Sequence, residues 1–273
     1  MKKAAAILFL VIISYGCVKE TNWPLPGKPL PQIVVDGVIT DESKSQSIRI
    51  TLPVTELNAT PQPVTGADVV ISNADSTWRL SENLQKPGFY MTSPTFLATL
   101  NKTYSLIIYM NDKIYSAKTY MVAGTAFNEL QYVKNEGDTL YHIDWVANGF
   151  SYEKPAMWEI LLDWSKVPGH SAADSSATHA RLLFYTLPTL DVSEIFAPKV
   201  EEILFPAGTI ITERRYSLTP EHAEFVREML LETNWTGGFF SLDNSNVTTN
   251  MTNGAIGYFG ACAVTSLSLT VTP

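Results

Sequence analysis

The sequence predicts a mostly β protein, in which a β-sandwich is followed by a second β-rich domain with one amphipathic helix. Three observations predict this class. Val, Ile, Thr and Tyr dominate the apolar runs, and these residue types favour sheets. Residues 32–123 hold about seven short alternating runs separated by turn signals, which is typical of a sandwich. A clear helical spacing of apolar residues occurs at about 219–233.

The composition along the chain predicts four parts. Residues 1–16 are interpreted as a lipoprotein signal peptide and 17–31, with four prolines, as an extended tether. An arm packed on the body through Trp23 is the alternative for the tether. The sandwich domain is assigned to 32–123 and the second β-rich domain to 124–273.

The first segment has the parts of a bacterial lipoprotein signal. Lys2 and Lys3 are followed by the apolar run Ala4–Ile13, which is shorter than the about 20 residues that span a bilayer. Gly16 then directly precedes Cys17. This order predicts cleavage before Cys17 and acylation, by palmitate or a similar chain, of its thiol and new amino group. Two or more acyl chains hold a protein stably in a membrane. An ordinary signal peptide is the alternative.

Charge and cysteine content restrict the partners. Removal of residues 1–16, which carry two lysines and no acidic residue, changes the formal net charge from −8 to −10. Such an acidic chain without a basic cluster repels phosphate backbones, so nucleic acid is not an expected partner. With Cys17 acylated, Cys262 has no partner for a disulfide. Its small and apolar neighbours predict a buried side chain.

The predicted sandwich begins with the strand "IVVDGVITDE", a turn, and "SIRITLP", whose alternation buries one face. In "GADVVISNADSTWRLSE", two short strands are joined across Asn73–Ser76. The run "TYSLIIYMNDKIYSAKTYMV" predicts a hairpin that turns at Asn111–Asp112, since these residue types tolerate turn conformations. The segment from 63 to 93 resembles the immunoglobulin-like or prealbumin-like modules of bacterial outer-membrane proteins.

The second region combines strands, a loop and the helix. "TLYHIDWVAN" and "AMWEILLDW" are strand-like, and the polar stretch Ser165–Ala180 predicts a loop. Two more strands are expected within "EEILFPAGTIITERRYS". Thr219 suits the helix N-cap, and Pro220 suits the first turn. The chain closes with a strand or strand pair in which Tyr258 and Phe259 face opposite sides, so that one or both are buried.

No catalytic or metal-binding constellation emerges from the motifs, and no cofactor is expected. "GHSAA" around Ser171 lacks the second glycine of a nucleophile elbow. The oxygen-rich stretch Asp243–Asn253 places Val247 where a calcium ligand is required. Glu201 and Glu202 are adjacent, so a strand would send them to opposite faces. The dispersed histidines are His142, His170, His179 and His222.

The order of short motifs provides a family resemblance. "PQIVVDGVITDESKSQSIRITL", "PVTGADVVISN", "PGFYMT", "TYSLIIYMNDKIYSA" and "GAIGYFGACAV" follow one another, after a lipobox and a proline-bearing tether. This series resembles the domain-of-unknown-function 4249 lipoprotein family of Bacteroidota. Here the stretch before "GYF" lacks the family's usual Gly-Asn start. The resemblance implies an outer-membrane protein that is associated with TonB-dependent transporters, and it implies no catalytic residues.

The expected function is therefore that of a non-enzymatic outer-membrane lipoprotein. We expect a binding or accessory component of a TonB-dependent nutrient uptake system, held by acylated Cys17 at the cell surface, with the periplasmic face as the alternative. Its partners would be membrane lipid and a TonB-dependent transporter. Two loops, Ser165–Ala180 and Asp243–Asn253, are candidate contact surfaces. A structural or adhesive surface protein and a surface hydrolase with an unrecognised site are the alternative functions.

Overall fold

The computed structural model describes residues 33–54, 59–170, 174–189, 202–234 and 247–273. The predicted signal peptide, the tether and Cys17 lie outside this part. Pro31–Pro273 form one compact unit. In the described part, no helix is long and apolar enough to cross a membrane.

The chain is mostly β, as the sequence predicts. The first half contributes β1 (Val34–Thr40), β2 (Ser47–Thr51), β3 (Asp68–Ser72), β4 (Thr77–Arg79), β5 (Ser81–Glu82), β6 (Phe89–Met91), β7 (Thr103–Met110) and β8 (Lys113–Tyr120). The second half contributes β9 (Gln131–Lys134), β10 (Leu140–Trp145), β11 (Ala156–Asp163), α1 (Ser175–Thr178), β12 (His179–Thr186), β13 (Phe205–Pro206), β14 (Ile210–Ser217), α2 (Pro220–Asn234), β15 (Ile256–Cys262) and β16 (Val264–Thr270).

Two sheets form the first sandwich. One has the strand order β15-β1-β2-β6-β5 and the other the order β4-β3-β7-β8. Alternate residues of the strands point into one core, where Val35, Ile50, Tyr104 and Phe259 are fully buried. β1 is paired in parallel with β15 and antiparallel with β2. The predicted alternation of β1 and β2 is thus realised as one buried face.

Two further sheets form the second sandwich. Their orders are β12-β11-β14-β16 and β13-β10-β9. Both sheets contribute to a second core, which includes Tyr141, Trp158, Phe205 and Ile211. On the far side of β14, Tyr216 packs with residues of helix α2 in a third cluster, so the sheet is covered on both faces.

The predicted helix is present as α2. Thr219 acts as its N-cap, since the backbone N–H of His222 donates to the Thr219 hydroxyl at 3.2 Å. Val226 and Leu230 are buried against β15 and β14 neighbours, as their helical spacing predicts. The helix is therefore held by an apolar face and by a local cap.

The last two strands connect the sandwiches. β15 belongs to the first sandwich, and after Ala263 the chain continues as β16 in the second. Phe259 enters the first core, whereas Tyr258 stacks on the rings of His222 and Phe225 of α2. The opposite orientations predicted for these two residues are confirmed.

Local turns also follow the sequence, with one correction. Asn111 and Asp112 have φ angles of 48° and 60° between β7 and β8, as in the two-residue hairpin turns that such residues favour. The loop predicted for Ser165–Ala180 ends early, because α1 and the start of β12 at His179 occupy its last residues. Pairing of His179 with Asp163 of β11 extends the strand into this polar stretch.

Candidate functional site

A cleft opens at one end of the second sandwich, beyond the point where the pairing of β10 with β13 ends. β13 pairs with β10 only at Leu140 and Tyr141, so no described strand pairs with the following residues of β10 on that side. β12 is the edge strand of the opposite sheet. The space between them is a cleft of about 170 Å³, lined by His142, Ile143, Asp144, Trp145, Val146, Leu182, Phe184, Glu202 and Ile203.

The inner wall of the cleft is apolar. Val146 and Leu182 are buried members of the second core. Trp145 and Phe184 are half-buried and add aromatic surface. Clefts that bind small molecules have this composition, in which apolar and aromatic walls surround a few polar groups.

The polar groups of the cleft are a histidine and two carboxylates. In the described part of the chain, the Nδ1 atom of His142 is buried and has no hydrogen-bond partner. Such a group costs about 1–3 kcal/mol when it stays unsatisfied. Asp144 and Glu202 are exposed, and no ion pair of the described residues includes either of them. The cleft is suited to binding a ligand that supplies hydrogen-bond donors.

Two residues of the cleft, His142 and Glu202, stand out in the sequence, but nothing in the sequence indicates that they lie together. His142 is one of four dispersed histidines, and Glu202 is adjacent to Glu201, which lies outside the described residues. The structure separates the histidines, and no cluster of three or more potential metal ligands occurs among the described residues. The pairing of β10 and the approach of β12 bring His142 and Glu202 into one cleft, and no sequence spacing signals that approach.

A second polar group lies at the predicted loop. Asp163 Oδ1 accepts hydrogen bonds from the backbone N–H and the hydroxyl of Ser165, and it lies 3.3 Å from Nε2 of His179. The other ring nitrogen of His179 is 3.0 Å from the hydroxyl of Thr178. This Thr-His-Asp order resembles a proton relay, but Thr178 is only 1% exposed. The arrangement fastens the loop to β11 rather than presenting a hydroxyl to a substrate.

Cys262 lies beside His222 under helix α2. Its sulfur is 3.8 Å from Nδ1 of His222, and both residues are buried. Burial raises the pKa of Cys262 to about 12 and lowers that of His222 to about 4. Burial thus favours the neutral form of each side chain, which is the opposite of an activated thiolate. The buried position predicted for the Cys262 side chain is confirmed.

A charged network joins the two sandwiches. Arg214 of β14 bonds to Glu159 at 2.8 Å and to Glu42, in the β1–β2 loop, at 2.5 Å. Glu159 also accepts from the Tyr216 hydroxyl at 2.8 Å and from Arg181 at 2.6 Å. Burial would raise the pKa of Glu159, but these hydrogen bonds and the arginine charges outweigh it and lower the pKa. The network fixes the first sandwich against the second.

The second candidate loop is described only from Val247 onward. Asn250 donates to the Lys118 carbonyl at 3.1 Å, and Asn253 donates to the Ile114 carbonyl at 2.6 Å. The backbone N–H of Thr252 donates to the Ser116 carbonyl at 2.9 Å. This part of the predicted loop is held along β8 by these bonds.

Taken together, fold and cleft define a mostly β protein made of two linked sandwiches, with a small open cleft suited to binding. The chain belongs to the family described as "Domain of unknown function (DUF4249)", whose model matches residues 18–268. The family that the order of motifs indicates is therefore confirmed. A comparison with curated proteins gave no match.

Proposed function

We propose that this chain is a non-enzymatic lipoprotein that acts as an accessory binding component of a TonB-dependent nutrient uptake system at the outer membrane. The observation that carries the proposal is the lipobox cysteine. Cys17 follows a short apolar signal, and the family match starts at the next residue, Val18. Acylation at Cys17 would place the folded body beside integral proteins of the same membrane.

A shared membrane favours a modest protein–protein interface. Two proteins anchored in one membrane have a high effective concentration for each other, so a weak contact suffices for association. The network of Glu42, Glu159 and Arg214 holds the two sandwiches together, which suits a body that presents a fixed surface. The choice of a TonB-dependent transporter as the partner depends on the family resemblance.

The burial of the reactive side-chain groups among the described residues also favours a binding role. The thiol of Cys262 is fully buried, and the relay through His179 ends at the buried hydroxyl of Thr178. Neither group meets a substrate at the surface. In contrast, the cleft at His142 is open to solvent, and its carboxylates Asp144 and Glu202 are exposed. These observations favour binding over the hydrolase alternative.

The test is affinity purification of the tagged protein from native outer membranes in mild detergent. We expect enrichment of a TonB-dependent β-barrel transporter over an unrelated lipoprotein that carries the same tag, and reduced uptake of one nutrient after deletion of the gene. Recovery of no transporter together with unchanged uptake would reject the proposal. Loss of adhesion instead of uptake would favour the structural or adhesive alternative.

Protease treatment of intact cells tests the membrane face. Cleavage of the body in intact cells is expected for a surface protein. Cleavage only after lysis would place the protein on the periplasmic side.

A further inference from the structure

We propose that one end of the first sandwich docks on the lipid surface that anchors the chain, by inserting exposed apolar side chains at the level of the headgroups. This end, where the described chain enters the body at Ile33, is called the entry end. The inference rests on the proposed function, in which Cys17 is acylated. It goes beyond that function, because it states which surface of the body faces the lipid.

In the sheet that holds β1, strand pairing places several segments at the entry end. Val34 begins β1 and pairs with Ile256, which begins β15, and with Thr51, which ends β2. The turn that follows β5 lies beside them, because the Ile50 N–H donates to the Gly88 carbonyl at 2.8 Å. The residues directly after Thr51 and the residues of this turn therefore lie at one end of the sheet.

The turn between β7 and β8 in the opposite sheet lies at the same end. Asn253 Nδ2 donates to the Ile114 carbonyl at 2.6 Å, and Asn253 comes just before β15. At the other ends of these strands, Val122 forms a parallel bridge with Cys262. β8 and β15 therefore run in the same direction, and both begin at the entry end.

The entry end exposes a group of large apolar side chains, called the apolar fringe. Leu84, in the turn after β5, is 83% exposed, and Ile114 of β8 is 50% exposed beside its paired residue Tyr109. The apolar fringe consists of Leu52, Val54, Leu84, Tyr109, Ile114 and Ile256. Single exposed apolar residues are normal, whereas a group of them at one end of a body marks a surface for a protein or a membrane.

The attachment of the chain selects a membrane as the occupant. Ile33 is fully buried, and its carbonyl accepts from the Ile256 N–H at 3.0 Å, so the chain is fixed to the body at this point. Sixteen residues separate Ile33 from Cys17, and a chain of this length spans at most about 55 Å. The entry end is therefore the part of the body whose distance from an acylated Cys17 is limited directly, and its effective concentration at the lipid is high.

The other end of the first sandwich faces the second sandwich. There the Val264 N–H donates to Oδ1 of Asp41 at 2.8 Å, and Arg214 bonds to Glu42 at 2.5 Å. A body that docks by the entry end thus keeps the second sandwich on the side away from the lipid, where it stays accessible to a protein partner.

The charges beside the apolar fringe suit a lipid surface without a specific headgroup. The turns at the entry end expose Lys86, Asp112 and Lys113. Lysine stems follow an apolar surface while their ammonium groups stay among the headgroups. With two basic residues and one acidic residue, apolar insertion should dominate, so that neutral phosphatidylcholine is a sufficient target.

The experiment uses the full acylated lipoprotein in phosphatidylcholine vesicles, with or without bromine on the acyl chains. Leu84→Cys provides a thiol for an environment-sensitive fluorophore, since Cys17 is acylated and Cys262 is fully buried. Leu97→Cys is the matched label position, because Leu97 is also exposed but precedes Ala98, which bonds to the last residue of β1. Bromine should quench the label at position 84 and leave the label at position 97 unchanged.

A variant with fewer apolar side chains connects the quenching to the apolar fringe. Leu52→Thr/Val54→Thr/Ile114→Thr, made in the Leu84→Cys protein, keeps the anchor. It should lose most of the quenching at position 84, because less apolar surface leaves water when the body docks.

The matched control makes the same three types of replacement in the second sandwich. It is Leu183→Thr/Val133→Thr/Ile210→Thr, at positions that are also exposed. This control should be quenched like the Leu84→Cys parent. Melting temperatures of both variants are measured alongside, and we expect them to match that of the parent, because the altered side chains are exposed.

Several results would overturn the inference. These are equal quenching at positions 84 and 97, unchanged quenching in the fringe variant, and an equal loss in the control variant. Loss of transporter recovery from native membranes in the fringe variant, with unchanged quenching, would assign the apolar fringe to a protein partner instead. A protein that does not stay on the vesicles would reject the lipid anchor as well, whereas an anchored protein without quenching at position 84 would reject this inference alone.

Discussion

The side-chain amide of Asn250 pairs with the main chain of Phe259 as a neighbouring strand would. The Phe259 N–H donates to Oδ1 of Asn250 at 3.0 Å, and Nδ2 of Asn250 donates to the Phe259 carbonyl at 2.8 Å. Nδ2 also lies 3.1 Å from the carbonyl of Lys118 in β8. β15 is an edge strand of its sheet. The Asn250 side chain thus satisfies this edge at Phe259 and connects it to the opposite sheet of the sandwich.

Asn250→Ala should lower the free energy of unfolding by about 1–3 kcal/mol, because the backbone groups of Phe259 lose their partners. The Phe259 amide should also exchange its hydrogen faster. Asn250→Asp keeps the acceptor but removes the donor, so it should destabilise the protein while the Phe259 amide stays protected. Chemical denaturation and amide exchange by NMR measure both effects. An unchanged exchange rate in the alanine variant would contradict this role.

Phe259→Ala should cost about 3–5 kcal/mol of unfolding free energy, since the side chain is fully buried in the first core. Phe259→Leu keeps most of the apolar volume and should cost less. Thermal and denaturant unfolding of the two variants provide the comparison. Equal stability of Phe259→Ala and the wild type would show that the core is not organised around this strand.

The buried carboxyl group of Glu213 should make the free energy of unfolding depend on pH. It is 1% exposed, its Oε2 accepts from the Leu130 N–H at 3.1 Å, and burial raises its pKa to about 7. The folded pKa is thus above the unfolded value of 4.5, so ionisation opposes folding as the pH rises from about 4.5 through 7. At pH 8 the penalty is up to about 3 kcal/mol, because one pKa unit corresponds to about 1.4 kcal/mol.

The variant Glu213→Gln isolates this effect. It should be more stable than the wild type at pH 8, and the difference should shrink toward pH 5. The measurement is the difference in unfolding free energy between wild type and variant at each pH. This difference cancels the contribution of His222, which changes with pH in the opposite direction. Its folded pKa of about 4 is below the unfolded 6.5, so its contribution to stability is lost as the pH falls. A pH-independent difference would contradict the prediction for Glu213.

The network between the sandwiches should depend on Glu159 more than on Glu42. Glu159→Ala removes the buried partner of the Tyr216 hydroxyl and of Nη1 of Arg214. We therefore expect the free energy of unfolding to fall by about 3–5 kcal/mol. The Glu42 side chain is 34% exposed, and Glu42→Ala should cost about 1 kcal/mol or less. Denaturant titration of both variants tests the order. A larger effect at Glu42 would contradict it.

Cys17→Ser should prevent acylation, so that the protein stays uncleaved or is released from the membrane. The matched control is Cys262→Ala, which alters the other cysteine of the chain and leaves the lipobox intact. Detergent phase partition and the mass of the mature protein measure the outcome. A Cys17→Ser protein with a normal mature mass that still enters the detergent phase would reject the lipobox interpretation.

The family motif "GYF" has a physical basis in these contacts. Gly257 has a φ angle of 98°, and a Cβ atom at this position would overlap the carbonyl oxygen of Val35 in β1. The following Tyr258 faces helix α2, and Phe259 faces the sandwich core. One short stretch therefore combines a close backbone approach with anchors for two packed layers.

The sequence by itself determined the local features of this protein. Period-two alternation marked β1 and β2, Asn111–Asp112 marked a hairpin turn, and Thr219 marked the start of α2. These features depend on interactions within a few residues, namely side-chain direction, turn conformation and capping, so that a sequence pattern carries them. The lipobox at Cys17 is likewise a local signal, and it stays a prediction.

Only the tertiary structure decided which strands are neighbours and which side chains meet. Val34 pairs with Ile256, and Arg214 joins Glu42 to Glu159, although these residues are far apart in the sequence. Alternation specifies which face of a strand is buried but not which strand lies beside it, because many alternating strands offer equivalent backbone hydrogen bonds. The cleft at His142 arises where one such pairing ends, and for this reason its residues carried no joint signal in the sequence.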